Sequence, residues 1–142
     1  SSTYTDLNLS IDSPDALYRS PDSTINKLTF ISSNKNLEIN LITKPIDENS
    51  DLSNELINDF KERNFINVIT KNEDFQTLDG DKGVKIFGSF DDQNLNRKKD
   101  YTTILFVVNK LSIKLEIIFE RGNANLQKIV DRVINSLKFN KQ

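Results

Sequence analysis

Cysteine and histidine are absent from this 142-residue chain, as are methionine and tryptophan. Without cysteine there is no disulfide, no thiolate nucleophile and no cysteine-ligated zinc or iron–sulfur centre. The redox compartment stays open, because a cysteine-free chain suits any of them. The lack of histidine excludes more, since histidine is the commonest general base at neutral pH and the commonest metal ligand. Ser-His-Asp and Cys-His catalysis cannot be assembled within the chain. An enzyme would have to work with paired carboxylates or an activated lysine or tyrosine. The chain therefore reads as non-enzymatic, with no catalytic residue and no cofactor. No transition-metal site is expected, because an oxygen-only donor set favours calcium or magnesium.

A dominant charge is also lacking. The formal net charge is −2, with 7 basic and 11 acidic groups in residues 1–71 and 12 and 10 in residues 72–142. That asymmetry is too small to argue for nucleic acid or an anionic membrane surface. Long hydrophobic runs are missing too. The longest aliphatic or aromatic run is five residues, 104–108, so neither a membrane-spanning segment nor a signal-peptide core is present. A chain that starts Ser1-Ser2-Thr3 with no methionine anywhere reads as processed or trimmed. A removed targeting segment and a cloning choice both fit.

What is present centres on residues 101–120, YTTILFVVNKLSIKLEIIFE. Two runs rich in β-branched and aromatic residues, 102–108 and 112–119, flank a short polar break at Asn109-Lys110, which predicts a β-hairpin. The first run is apolar at five consecutive positions, as expected of a strand covered on both faces. In the second, Ile113, Leu115 and Ile117 point one way and Ser112, Lys114 and Glu116 the other. This hairpin should be the middle of a sheet.

Residues 1–6 are polar and read as a tether, leaving residues 7–142 as one domain by the prior of about 100–200 residues each. Leu7, Leu9 and Ile11 alternate with polar residues and predict a short strand. Ser13-Pro14-Asp15 is a turn or loop signal. Ile25 to Ile31 and Leu37 to Ile42 predict a second hairpin across the turn cluster 32–36, ended by Lys44-Pro45. Residues 51–63 read as a helix capped by Ser50 or Asp51, with an apolar stripe at Leu52, Leu56, Ile57 and Phe60. A broken strand follows over 65–78, interrupted at residues 72–74. Asp79-Gly80-Asp81-Lys82-Gly83 is a turn, 84–90 a strand, and 91–100 a charged mobile loop. Asn123 can cap a last helix, where Leu126, Ile129, Val130, Val133, Ile134 and Leu137 keep a clear helical period. The order is strands, helix, four strands, helix: an α+β domain with a largely antiparallel sheet.

Several particulars bring a family to mind. They are the first strand ending Ile11-Asp12-Ser13-Pro14, the Ser50-Asp51-Leu52 helix start, and the Leu78-Asp79-Gly80 turn before Gly83-Val84-Lys85-Ile86. A long hairpin and the ending Ile134-Asn135-Ser136-Leu137-Lys138-Phe139 complete the set. From Leu7 to Phe139 the chain resembles the PsbP-like superfamily. That group includes the photosystem II extrinsic P-subunit, a Ran-binding nuclear import factor and DcrB-type bacterial lipoproteins. The resemblance implies an αβα sandwich and a non-enzymatic accessory or binding role. It transfers no photosystem function and no specific functional residue.

Candidate sites each have a plainer reading. Asp79 to Gly83 begins like a calcium loop, but Gly83, Val84 and Phe90 stand at its fifth, sixth and twelfth positions, so a tight turn is the better reading. Tyr18, Phe65, Phe75 and Tyr101, with Arg19 or Lys99, could line a pocket for a small organic or peptide ligand; packing is the alternative. Arg97, Lys98 and Lys99 beside Asp91-Asp92 could clasp a charged partner, or form a solvated face. The candidate ligand or partner surface is thus Tyr18, Arg19, Phe75, Arg97, Lys98, Lys99 and Tyr101. The partner would be a protein or small ligand.

Two roles remain. The first is a binding domain at a bacterial cell surface, lipid-anchored from upstream of Ser1; membrane contact would come only through that anchor. The resemblance implies it, and a composition of 18 Asn, 2 Ala and 4 Gly is in keeping with it. The alternative is an intracellular protein-binding adaptor of the import-factor type.

Overall fold

The structure, a computed structural model, describes residues 2–4, 9–11, 18–19, 27–32, 35–45, 52–108 and 110–139. The Ser50 and Asp51 caps, the Ser13-Pro14 turn and the polar C-terminal end lie outside those residues.

The main sheet is antiparallel and has seven strands. In chain order these are β3 (Tyr18–Arg19), β4 (Lys27–Ile31), β5 (Leu37–Pro45), β6 (Phe65–Gln76), β7 (Lys82–Asp92), β8 (Arg97–Val108) and β9 (Leu111–Glu120). Their spatial order is β3-β4-β5-β9-β8-β7-β6. A smaller sheet joins β1 (Ser2–Tyr4), β2 (Leu9–Ile11) and β10 (Lys138–Phe139) in the order β1-β2-β10. Residues 2–4, read above as part of a tether, pair Ser2↔Ile11 to Tyr4↔Leu9. Backbone hydrogen bonding orders this segment where apolar periodicity gave no sign of it.

The predicted central hairpin is present. β8 and β9 pair from Lys99↔Glu120 to Val108↔Leu111, and both sit inside the sheet. From Tyr101 to Phe106 both faces are covered, whereas Val107, near the hairpin's turn, is 55% exposed. Ile104 and Phe106 face helix α2 (Ala124–Asn135), with Ile113, Leu115, Ile117 and Phe119 of β9. Tyr101 and Leu105 face helix α1 (Leu52–Glu62). The result is a sheet between two helices.

Each helix forms for the reasons its sequence shows. Asn123 Oδ1 accepts from the Leu126 N–H at 3.1 Å and caps α2. Leu126, Val130, Val133, Ile134 and Leu137 are buried, and Ile129 partly so. On the other face α1 inserts Phe60 into an aromatic cluster. Its ring lies 5.4 Å from Phe65, 5.2 Å from Phe90 and 5.0 Å from Tyr101. Gly88 stands opposite Tyr101. A Cβ there would come within 1.8 Å of the Ile69 carbonyl oxygen, so only glycine permits this approach of β6 to β7.

Two sequence expectations are corrected. Residues 91–100 are not a mobile loop: β7 and β8 run on through them, with Asp91↔Lys98 and Asp92↔Arg97 as cross-strand pairs. Opposite charges facing each other stabilise such a hairpin. Its turn is held by Asp92 Oδ1, which accepts from Asn94 N–H at 3.0 Å and Leu95 N–H at 3.3 Å. Nor is β6 broken at 72–74; it is continuous, with a register shift between Ile66 and Ile69. An edge strand exposed on both faces has no reason to alternate, which hid it from a periodicity reading. The expected turn is present but shorter than Asp79 to Gly83: it is closed by Thr77 N–H to Asp81 O at 2.9 Å and Gly80 N–H to Thr77 O at 3.0 Å, while Lys82 and Gly83 already belong to β7, opposite Gln76 and Phe75.

Candidate functional site

One end of the main sheet holds the buried Asp92 and Lys99 and leads down to the buried Asn40 and Glu116. There β8 begins, β5 begins, β7 and β9 end, and α1 runs into β6. Glu116 lies at its base, fully buried on the α1 side of β9. Its Oε1 accepts from Arg63 Nη1 and from Asn40 Nδ2, each at 2.9 Å. Asn40 also donates to Glu38 Oε2 at 2.9 Å and accepts from Thr29 Oγ1 at 2.8 Å. Arg63 reaches Asp59 Oδ2 at 3.1 Å, and its guanidinium lies 4.7 Å over the Phe65 ring. Burial works to raise the Glu116 pKa, but the charges of Arg63 and Lys114 and the Arg63 and Asn40 hydrogen bonds outweigh it. The carboxyl is held below its ordinary 4.5. Arg63 is correspondingly locked in its charged form: burial opposes this, and Glu116 overcomes it.

Two open clefts flank this network. One, of about 290 Å³, is lined among others by Lys35, Glu38, Arg63, Asp92 and Lys99. The other, of about 470 Å³, is lined by Asn36, Arg97, Lys98, Glu120 and Arg121. Lys99 is 3% exposed and donates from Nζ to the Lys35 carbonyl at 2.8 Å. Burial, then the neighbouring Arg97 charge, lowers its pKa below 10.5. Arg121 fastens the strand ends, donating from Nη2 to the Phe90 carbonyl at 2.8 Å and Asp91 Oδ1 at 3.3 Å. Its Nε lies 3.6 Å from Asp100 Oδ1. Burial nevertheless raises the Asp100 pKa above 3.8. The Asn67 hydrogen bond is the main cause that holds Asp91 below that value.

The candidates read from sequence divide three ways. Arg97, Lys98 and Lys99 come together at this end. Tyr18 and Arg19 reach it by backbone register, since Tyr18 pairs with Ile31, a residue of the smaller cleft. Phe75 is at the opposite end, where it pairs with Gly83 and packs on Phe106 at 6.1 Å. Tyr101 belongs to the core, 1% exposed, and its hydroxyl donates to the Ile69 carbonyl at 3.1 Å and lies 2.8 Å from Thr70 Oγ1. Burial is the main cause that raises its pKa above 10.0.

Sequence reasoning missed Arg63, Lys35 and Arg121 as site residues, and Glu116 as the buried anion beneath them. Each had a local explanation: a helix-end cation, a turn, a strand end, an alternating polar position. Among the described residues, no group of three or more Asp and Glu side chains is placed to hold a metal ion. No described helix is long and apolar enough to cross a membrane.

No protein-family profile matches the chain, and no curated protein sequence does. Solved structures do. Cyanobacterial PsbP from Synechocystis sp. PCC 6803 superposes with a TM-score of 0.63 at 9% identity, over 97% of this chain and 90% of its own. The Saccharomyces cerevisiae Ran-binding protein Mog1p gives 0.62 at 10% identity, over 99% and 94%. LpqN, involved in cell envelope biogenesis of Mycobacterium tuberculosis, gives 0.59 at 13% identity, over 92% and 82%. The chain has the PsbP-like fold that these three share. At such identities the likeness establishes the fold alone.

Proposed function

We propose that this chain is a non-catalytic binding domain that engages a protein or small-ligand partner through the end of the sheet where β8 begins, and that it works outside the cytoplasmic membrane. The geometry of that end carries the reading: two adjoining clefts, three of whose cations are already fixed in place. Lys99 is held by the Lys35 carbonyl, Arg63 by Glu116 and Asp59, and Arg121 by β7. Groups fixed before binding lose little entropy on binding. Glu38, Asp92 and Glu120 lie among those cations, so the end suits a partner of mixed charge better than a polyanion. Mog1p supports a binding role, being a Ran-binding protein. LpqN supports a place at the cell envelope. Attachment there would fall to an acylated segment upstream. One acyl chain binds only marginally, so a second chain or a basic patch would have to assist it.

The similarity to Mog1p favours a second reading, an intracellular protein-binding adaptor. Both readings share the binding end. A photo-crosslinking residue in place of Lys98, in cells expressing the full-length gene, tests it. A discrete adduct that disappears with Arg97→Glu is expected. An adduct of undiminished yield in Arg97→Glu, or adducts only from a probe replacing Lys128 on α2, would place binding elsewhere.

A further inference from the structure

Strand β6 is one of the two outer strands of the main sheet and runs for 12 residues. From Ile66 to Asp74 it is almost wholly exposed, Ile69 to 56%. An edge of this length presents backbone donors and acceptors to any incoming strand. Its phase follows from the turn. Thr77 N–H bonds to Asp81 O at 2.9 Å, and the antiparallel ladder alternates from that pair. Ile69, Lys71, Glu73 and Phe75 therefore bond inward to β7. The backbone groups of Thr70, Asn72 and Asp74 point away from the sheet.

We propose that β6 pairs with β6 of a second copy of this chain, antiparallel about a two-fold axis at Asn72, joining two main sheets into one. Asn72 then faces the partner's Asn72, and Thr70 faces the partner's Asp74, as outward hydrogen-bonded pairs. Lys71 faces the partner's Glu73, and Ile69 faces the partner's Phe75. These are the non-hydrogen-bonded pairs, where opposing side chains are closest, with Cα atoms about 4.5 Å apart. The two-fold repeats each pair, as an isologous interface must. Glu73 already lies 3.4 Å from Lys85 of β7, so the partner's Lys71 completes a row of alternating charge. The exposed Ile69 gains an aromatic cover. The neighbouring in-phase registers do worse: an axis at Lys71 sets Lys71 against the partner's Lys71, and one at Glu73 sets Glu73 against the partner's Glu73. The backbone phase and the side-chain pattern thus select the same register.

Sedimentation equilibrium of the purified chain tests this at concentrations up to about 1 mM, the weak end of specific association. A monomer–dimer equilibrium is expected. K71E or E73K alone turns two attractive pairs into two repulsive ones and should raise the dissociation constant about tenfold or more. The double variant K71E/E73K swaps the charges and should restore dimerisation. Asn72→Pro removes an outward N–H without touching the β7 ladder and should abolish the dimer. Circular dichroism and thermal midpoints of the variants separate lost pairing from lost fold. A chain that stays monomeric throughout overturns the proposal. So does a dimer indifferent to Asn72→Pro, or a charge swap that fails to restore association while the fold is intact.

Discussion

Replacing Arg63 with methionine should destabilise the protein by about 3 kcal/mol or more, the cost of leaving a buried charge without its partner. Glu116 is fully buried, and Arg63 is its main cationic neighbour, at 2.9 Å. Lys114, at 3.9 Å from Oε2, is a poor substitute. Replacing both partners, as R63M/E116Q, should recover much of the loss. The neutral amide can still accept from Asn40 and no longer needs a cation. The pH dependence should change sign between the forms. In the native chain the Glu116 pKa is depressed on folding, so its stabilisation is present above the ordinary 4.5 and is lost as pH falls through the lower folded value. In R63M burial is opposed by the Lys114 charge and the Asn40 hydrogen bond alone, and the folded pKa is expected to rise above the ordinary value. The unfolded state then binds fewer protons, and stability falls as pH climbs from about 4.5 toward neutrality. Urea midpoints from pH 3 to 7 check both directions, the range bracketing ordinary carboxylate titration at about 4. Equal slopes in the two forms would show that the pair is not the anchor described.

A second large effect is expected at Val133, which is 0% exposed where α2 packs on the sheet. Val133→Asp puts an unpaired carboxylate among Ile117, Leu115 and their neighbours, at a cost on the order of 3 kcal/mol or more. Lys128→Ala on the exposed side of the same helix should stay within about 0.5 kcal/mol of the native chain. Thermal unfolding of both variants provides the check. A Val133→Asp protein with an unchanged midpoint would mean that the stripe does not hold α2 to the sheet.

The parts of the fold legible in the sequence are those where one face is wet and the other dry. Helix α2 shows its 3.6 period because Leu126, Val130, Val133 and Leu137 share one buried face. The β8–β9 hairpin shows itself by the five-residue run and the alternation beyond it. Legibility fails where both faces match. β6 is exposed on both and reads as two fragments, and the charged ends of β7 and β8 read as a loop because their partners are each other.

The site was harder still. Arg97, Lys98 and Lys99 stand out as a run, but Glu116 looks like any outward polar residue of an alternating strand. The run 104–108 already implied cover on both faces of the neighbouring strand. Carried one strand further, the same cover would have buried Glu116 and required a cation for it. Arg63 lies 53 residues away in sequence. No spacing rule links the two, and only the packing of α1 across β9 brings them together.

The proposed placement of this binding domain outside the cytoplasmic membrane is tested most directly by fractionating cells that carry the full-length gene at its native level. The expected result is recovery with the membrane, released by detergent and retained through high salt, since among the described residues Glu38, Asp92 and Glu120 interleave with the cations of the cleft end and salt would screen only an electrostatic attachment. Recovery solely in the cytosolic fraction, with an intact N-terminal methionine, would contradict it and leave the intracellular adaptor as the standing reading.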